Sequence, residues 1–313
     1  MKNNRTRKLT QRVCYALIAG MAGSFLMPQV VFAAPTGEKV VSGGATVSRV
    51  GNDTNIKSDN TNNVIEWRDY SLSSLERVVH DNGANTNNYL NIVTGANTSN
   101  IDGKIIGGNH VYIVNPNGVI FGKNAEVNVG HLHVSTQGIS TVNTTADMAH
   151  NVSPLDTSVG LSDVVNMGKI TATTVEVHGA HIRFLNAADV KTSGGTLSSV
   201  DMYTAPAASS ATDPDGGYAH IGYRTAAAPT NYTVHTVSVN PEYYKLVKDK
   251  AELAAINSST ASLAGKYMLE QDIDLGGAEH TPIGGNGRGA FTGKFDGNFF
   301  RVQNFNISNS GNN

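Results

Sequence analysis

Between residues 40 and 239 apolar positions recur in runs of three to six, rich in Val, Ile and Tyr, and each run is closed by Gly or Asn before the next begins. ATVSRVG, NVIEW, YLNIVTG, HVYIVNPNG, AEVNVG, HLHVST, KITATTVEVHG and HIRFLNAADV are examples. Short runs separated by single turns predict many strands and no crossover helices, hence an all-β fold. Sandwich, barrel and solenoid all fit that description, and spacing helps to choose. Residues 164–197 divide into consecutive units of roughly 20 residues, with inward Val, Ile and Leu alternating with small or polar neighbours, which is the period of a β-helix. Gly and Asn at the corners tolerate the left-handed backbone that tight corners need. A parallel β-helix is favoured over a sandwich. Because its first rung is an open edge, the N-terminal segment is expected to cap it.

The pattern lapses at residues 209–233, rich in Ala, Pro, Gly and Asp, which read as an outward loop or the approach to a linker. Beyond residue 240 KDKAELAAIN supplies the one convincing helix: Asp249 can cap its N-terminus, Glu252 completes a capping box, and Leu253 and Ile256 form an apolar edge. GKYMLEQDIDLGG and GAFTGKFDGNFFRVQNFNIS then return to short strands. The expected parts are residues 1–33, a β-helix over 34–239, and a small β-rich segment with one short helix over 240–313.

The first part has the form of a leader. Lys2, Arg5, Arg7, Lys8 and Arg12 make a basic start, residues 13–26 are mostly apolar, and Val31, Phe32 and Ala33 precede a cleavage point between Ala33 and Ala34. Gly20, Gly23, Ser24 and Pro28 interrupt the apolar stretch, which favours a cleaved signal peptide over a membrane anchor. Removing it leaves 18 basic residues against 25 acidic ones, a net charge of −7, so nucleic acid is not an expected partner. Cys14, the sole cysteine, leaves with it. An exported chain of about 280 residues without a disulfide needs an extensive hydrogen-bonded core or repetitive stacking.

Residues 111–122, VYIVNPNGVIFG, join two apolar runs through four residues suited to a type I turn. Asn115 can cap the turn, Pro116 presets φ, Asn117 tolerates the bridge region and Gly118 suits the exit. Taken alone, the unit could be a hairpin or the corner of a coil. With its surroundings, NVIEWRDYSLSSLERVVH and YLNIVTGANTSNIDGKIIGGNHVYIVNPNGVIFGKNAEVNVGHLHVSTQGIS, it resembles the secretion domain at the N-terminus of filamentous-haemagglutinin-type exoproteins, the passengers of two-partner secretion. The resemblance runs from about residue 37 to residue 200, and the segment VYIVNPNGVIFGKNAEV followed by ST is its most specific part.

That resemblance implies a right-handed parallel β-helix with an N-terminal cap, delivered by the Sec machinery to the periplasm. There an outer-membrane barrel transporter with periplasmic POTRA domains would recognise it unfolded and pass it to the cell surface. Asn115, Pro116, Asn117 and Gly118 match the family's signature turn. Trp67 matches the tryptophan after the first long strand, and Leu90, Asn91, Val93, Thr94 and Gly95 match an LN-x-VTG element, with Ile92 where arginine is common. Phe121 and Gly122 close the turn's outgoing strand. The upstream Asn-Pro-Asn-Leu turn of the haemolysin-like branch does not occur, which places the chain with the adhesin-like branch. Residues 251–307 resemble a Gly-rich, GLUG-type repeat of bacterial surface adhesins, most recognisably at Phe291, Gly293, Phe295, Asp296 and Gly297. One such repeat cannot bury its own face, so further copies are expected downstream.

The expected function is a secreted or cell-surface adhesin of a Gram-negative-type bacterium, engaging a host-cell or bacterial-surface receptor; the alternatives are a contact-dependent toxin or a β-helix enzyme acting on polysaccharide. Catalysis is not expected: acidic residues between Glu66 and Asp201 are sparse, there is no G-x-S-x-G elbow, and no cysteine nucleophile survives maturation. His131 and His133 share a strand face, and His178 and His181 could meet across a corner, but spacing supplies no third ligand and no metal or other cofactor is expected. Asp213, Asp215, Asp272 and Asp274 read as turn chemistry rather than a calcium loop. Asn97, Asn143, Asn151 and Asn231 begin Asn-x-Ser/Thr triplets that composition alone explains.

Overall fold

The computed structural model describes residues 34–138, 155, 159–207, 216–284, 287 and 289–307. The leader with Cys14 and Ala33, the triplets at Asn143 and Asn151, and Asp213 and Asp215 lie outside them. The chain divides into two compact units, residues 31–243 and a C-terminal unit within 244–313.

The coils of the first unit contribute short strands to three sheets, numbered along the chain. One sheet orders β1 (Lys39–Ser42), β4 (Asn62–Trp67), β6 (Asn88–Val93), β9 (His110–Val114), β12 (His131–Ser135), β15 (Thr174–His178), β18 (Ser199–Tyr203) and β20 (Tyr232–Val234). A second runs β7 (Ser99–Ile101), β10 (Val119–Phe121), β13 (Val164–Asn166), β16 (His181–Phe184) and β19 (Tyr218–Tyr223). The third runs β2 (Thr46–Val50), β3 (Asp53–Lys57), β5 (Arg77–His80), β8 (Lys104–Ile106), β11 (Glu126–Asn128), β14 (Lys169–Thr171) and β17 (Val190–Lys191). Successive rungs pair in parallel, as at His110↔His131 and Val119↔Val164, so the fold is the parallel β-helix expected from the spacing.

Among the described residues the two antiparallel ladders of this unit, β1 on β4 and β2 on β3, both lie at its N-terminal end. Reversing the chain there gives the first rung a partner and replaces an open parallel edge, which is what a cap must do. Arg49 pins the cap with two hydrogen bonds of 2.7 Å to the Glu38 carboxylate and one of 2.6 Å to the Pro35 carbonyl.

Alternation along each strand sends one set of side chains into a continuous core. Val111 and Ile113 of β9, Leu132 and Val134 of β12, and Val175 and Val177 of β15 belong to it and are each at most 1% exposed. The opposite face of the first sheet is also covered near its start, where Val64, Leu90, Ile92, Tyr112 and Val114 cluster with Leu155. The register step from His131 to Thr174 is 43 residues, against 21 from His110 to His131, so the chain makes a long excursion between β12 and β13. Of residues 209–233, read as an outward loop or the approach to a linker, 209–215 lie outside the described residues, while β19 and β20 pair with β16 and β18. Tyr218, Ile221 and Tyr232 supply apolar or aromatic strand residues among the Ala and Gly that masked them.

In the C-terminal unit, β21 (Pro241–Val247) crosses the boundary and is followed by α1 (Lys250–Ala255), capped by Asp249, whose side chain accepts from the Ala251 and Glu252 amides. Glu252 reaches back to the Lys248 amide at 2.9 Å. A second one-turn helix, α2 (Thr260–Leu263), capped by Ser259, adds to the single helix expected. β22 (Lys266–Leu269), β23 (Ile273–Asp274), β24 (Lys294–Asp296) and β25 (Val302–Gln303) complete it. Among the described residues no helix is long and apolar enough to cross a membrane.

Candidate functional site

Val114 ends β9 and Val119 begins β10, strands of different sheets, so residues 115–118 turn a corner of the coil and the hairpin alternative is excluded. The Gly118 amide closes the turn on the Asn115 carbonyl at 3.0 Å, and Gly118 leaves it at φ +103°, where a side chain would be strained. Asn115 is fully buried. Its Oδ1 accepts from the Asn117 amide at 2.9 Å, while Nδ2 donates to the Asn97 carbonyl and to Ser99 Oγ, both at 2.9 Å.

The neighbouring coils close over the same corner. Asn117 Nδ2 donates to the Gly95 carbonyl at 2.9 Å and Thr98 Oγ1 to the Asn117 carbonyl at 2.8 Å, both from the preceding coil. Ser162 Oγ donates to the Pro116 carbonyl at 2.7 Å and the Val119 amide to the Asp163 carbonyl at 3.1 Å, both from the following one. The turn is thus a stacked corner held from two sides. Of its four residues only Asn117 is exposed and Pro116 half-buried.

The other expected positions converge on the rungs beneath. Trp67 is fully buried, edge-on to Tyr70 at 5.5 Å, and its Nε1 donates to Asn91 Oδ1 at 2.9 Å. Asn91 Nδ2 donates in turn to the Tyr112 carbonyl at 3.1 Å, so an amide bridges three rungs inside the core. Val93 also faces inward, whereas Leu90 faces the outer cluster with Ile92. A polar side chain between two apolar ones in LN-x-V is therefore a partner for the tryptophan. The Thr94 amide and Oγ1 both donate to the Trp67 carbonyl, at 2.8 and 3.1 Å. Gly95 passes so close to the coil below that a Cβ would lie 2.0 Å from the Arg68 carbonyl oxygen, which admits no other residue without movement. Phe121 is core, and the Gly122 amide donates to the Ile101 carbonyl at 2.8 Å. Ala34 is half-buried ahead of the cap.

The family model of the TPS secretion domain matches residues 32–216. The chain belongs to that family. The chain is 34% identical over 108 residues to a heme/hemopexin-binding protein of Haemophilus influenzae strain Rd and 30% identical over 109 residues to a second protein of that name from the same species. Each match covers 34% of this chain and 12% of the relative, so the chain spans only a small part of those proteins. The crystal structure of the HMW1 secretion domain from Haemophilus influenzae aligns at 17% identity with a TM-score of 0.43, covering 79% of this chain and 67% of that one.

The TPS domain also holds a polar network that sequence spacing did not reveal. His110, on the strand before His131 and His133, joins them on the outer face of the first sheet; Glu176 and His178 stand on the next rung. His133 Nδ1 and His178 Nε2 lie 2.6 and 2.7 Å from the two oxygens of Glu176. Burial works to raise the Glu176 pKa, but these two hydrogen bonds and the attraction of the imidazoles hold it at about 2. Burial lowers His110 to about 4 and lowers His131. His178 and His181 do not meet: His181 lies on the second sheet and bonds Asp163 Oδ1 at 2.8 Å. The cross-strand register, which aligns position 110 with 131, is the signal that would have grouped them.

Proposed function

We propose that residues 34–239 are the export and folding-nucleation module of a secreted adhesin-type exoprotein. In this reading the Sec machinery delivers the chain, a signal peptide is removed between Ala33 and Ala34, and an outer-membrane two-partner-secretion transporter with periplasmic POTRA domains takes up the unfolded module. At the cell surface the cap and first rungs close. Each later rung then adds a ladder of hydrogen bonds and inward Val and Ile to a finished template, which opposes backward movement without ATP. The observation that carries the reading is the antiparallel cap at the N-terminal end of a coil whose described rung-to-rung ladders run parallel: the first rungs to emerge have partners before the rest arrives. A chain whose sole cysteine is Cys14 also forms no disulfide that would obstruct threading.

The C-terminal unit fits the start of a GLUG-type adhesin array. Its pairs Lys266↔Lys294 and Ile273↔Val302 repeat at 28 and 29 residues. The heme/hemopexin binding for which the relatives are named belongs to proteins aligned over only 12% of their length, and the adhesin's receptor is a host-cell or bacterial-surface component.

The test is co-expression of the chain with and without its cognate barrel transporter. Product in the medium only with the transporter is the expected result; equal export without it sinks the two-partner reading.

A further inference from the structure

The residues that follow the expected cleavage point are taken up by the cap one after another. Ala34 is half-buried and Pro35 buried. The Pro35 carbonyl accepts from Arg49 Nη2 at 2.6 Å, and the same guanidinium holds both oxygens of Glu38 at 2.7 Å. The Thr36 amide donates to the Asp69 carbonyl at 2.9 Å, while the Thr36 carbonyl accepts from the Arg68 and Asp69 amides at 2.9 and 3.2 Å. At Gly37 φ is +69°, and an added Cβ would lie 2.6 Å from the Arg68 Cβ, so the backbone passes in contact with residue 68.

These partners all come from later in the chain. Arg49 is 14 residues beyond Pro35, and Arg68 and Asp69 follow the end of β4 at Trp67. Segment 34–37 is therefore open in an unfolded chain and becomes engaged only when β2 and β4 have docked. A peptidase takes the residues flanking its scissile bond as an extended strand and needs their backbone groups and accessible surface. In the closed cap those groups are already bonded within the protein, and cleavage requires the strand to open first.

We propose that closure of the cap masks the leader junction, so that the leader is removable only before the cap forms. The inference rests on the reading of Ala33–Ala34 as the cleavage point of an exported chain. Hydrolysis adds one water across that amide, leaving a carboxylate on Ala33 and an amine on Ala34. A chain whose cap closes with the leader attached retains the apolar residues 13–26 and stays tethered at the inner membrane. The unfolded state that threading requires is thus required one step earlier, at leader removal, and early closure of the cap defeats both steps. Arg49 is the latch, because it alone joins the Pro35 carbonyl to the Glu38 carboxylate across the first residues of the mature chain.

The full chain, leader included, is refolded by dilution from urea, and a purified bacterial signal peptidase in detergent micelles is added after increasing delays. Mass spectrometry and N-terminal sequencing read the fraction cut. Cleavage before Ala34 at the shortest delay, falling by about tenfold or more once refolding is complete by circular dichroism, is expected. Arg49→Ala raises cleavage of the refolded chain by about tenfold, since the opened strand becomes more populated. Gly37→Ala, which drives a Cβ into Arg68, acts in the same direction and serves if Arg49→Ala does not fold. Arg301→Ala, in the C-terminal unit, leaves the protection unchanged. A fraction cut that is independent of delay in a chain that refolds overturns the inference alone. No cut before Ala34 even at the shortest delay overturns the leader reading, and the inference with it.

Discussion

Replacing Asn115 by alanine removes three hydrogen bonds of 2.9 Å from one fully buried side chain, those to the Asn117 amide, the Asn97 carbonyl and Ser99 Oγ, and a longer one of 3.3 Å from Asn117 Nδ2. At a net 0.5–1.5 kcal/mol each, the loss is about 3 kcal/mol, with the buried Ser99 hydroxyl left to find another partner. Asn117→Ala removes the exposed bond to the Gly95 carbonyl and the long one of 3.3 Å to Asn115 Oδ1, and costs about 0.5–1 kcal/mol. Urea unfolding of the full chain, followed by circular dichroism, separates them: with a slope of about 2–3 kcal/mol/M, the Asn115→Ala midpoint falls by about 1 M and the Asn117→Ala midpoint by a third of that or less. An unchanged slope is required, because solenoids can unfold in stages. Equal losses from the two substitutions would refute the view that burial of Asn115, rather than the turn sequence as such, makes the corner. If Asn117→Ala lowers export through the transporter while leaving stability near wild type, recognition resides in the exposed half of the turn.

Two further substitutions probe the core. His80 is fully buried with neither ring nitrogen in hydrogen-bonding geometry, and burial lowers its pKa to about 4 from 6.5. The unfolded chain therefore takes up the proton first: stability is full above pH 6.5 and falls by about 3 kcal/mol as the pH drops to 4. His80→Phe should flatten the unfolding profile across that window, and an unaltered profile would contradict the assignment. Trp67→Phe keeps the ring but orphans Asn91 Oδ1, at a cost of about 1–3 kcal/mol by thermal unfolding, and Asn91→Leu in the same background should recover part of it.

Much of this architecture was legible in the sequence. Alternating Val and Ile runs with Gly and Asn at the corners encode a coil locally, and each rung repeats the same chemistry, so period and residue type suffice to predict the β-helix. The helix at Asp249 was legible for the same reason, since a capping box is a local device. What escaped depends on register. Positions 218–223 and 232–234 read as loop because their strand residues are diluted by Ala and Gly, and only pairing with β16 and β18 returns them to the coil. The Asn115 turn showed itself as turn chemistry, but its partners Asn97, Ser99 and Ser162 come from coils 16 to 46 residues away. His131 and His133 were visible as a pair on one face, while His110 and Glu176 join them across rungs 23 and 43 residues apart. His133 is buried and His131 half-buried, so removing both histidines is expected to destabilise the chain.

The central claim is that rungs add in order onto the N-terminal cap. Pulsed hydrogen exchange during refolding of the full chain from urea, read by mass spectrometry of peptides, tests it directly. The account predicts amide protection in β3–β6 before β9–β12, and in those before β15–β18. Simultaneous protection throughout residues 34–239, or protection of β15–β18 first, would contradict it.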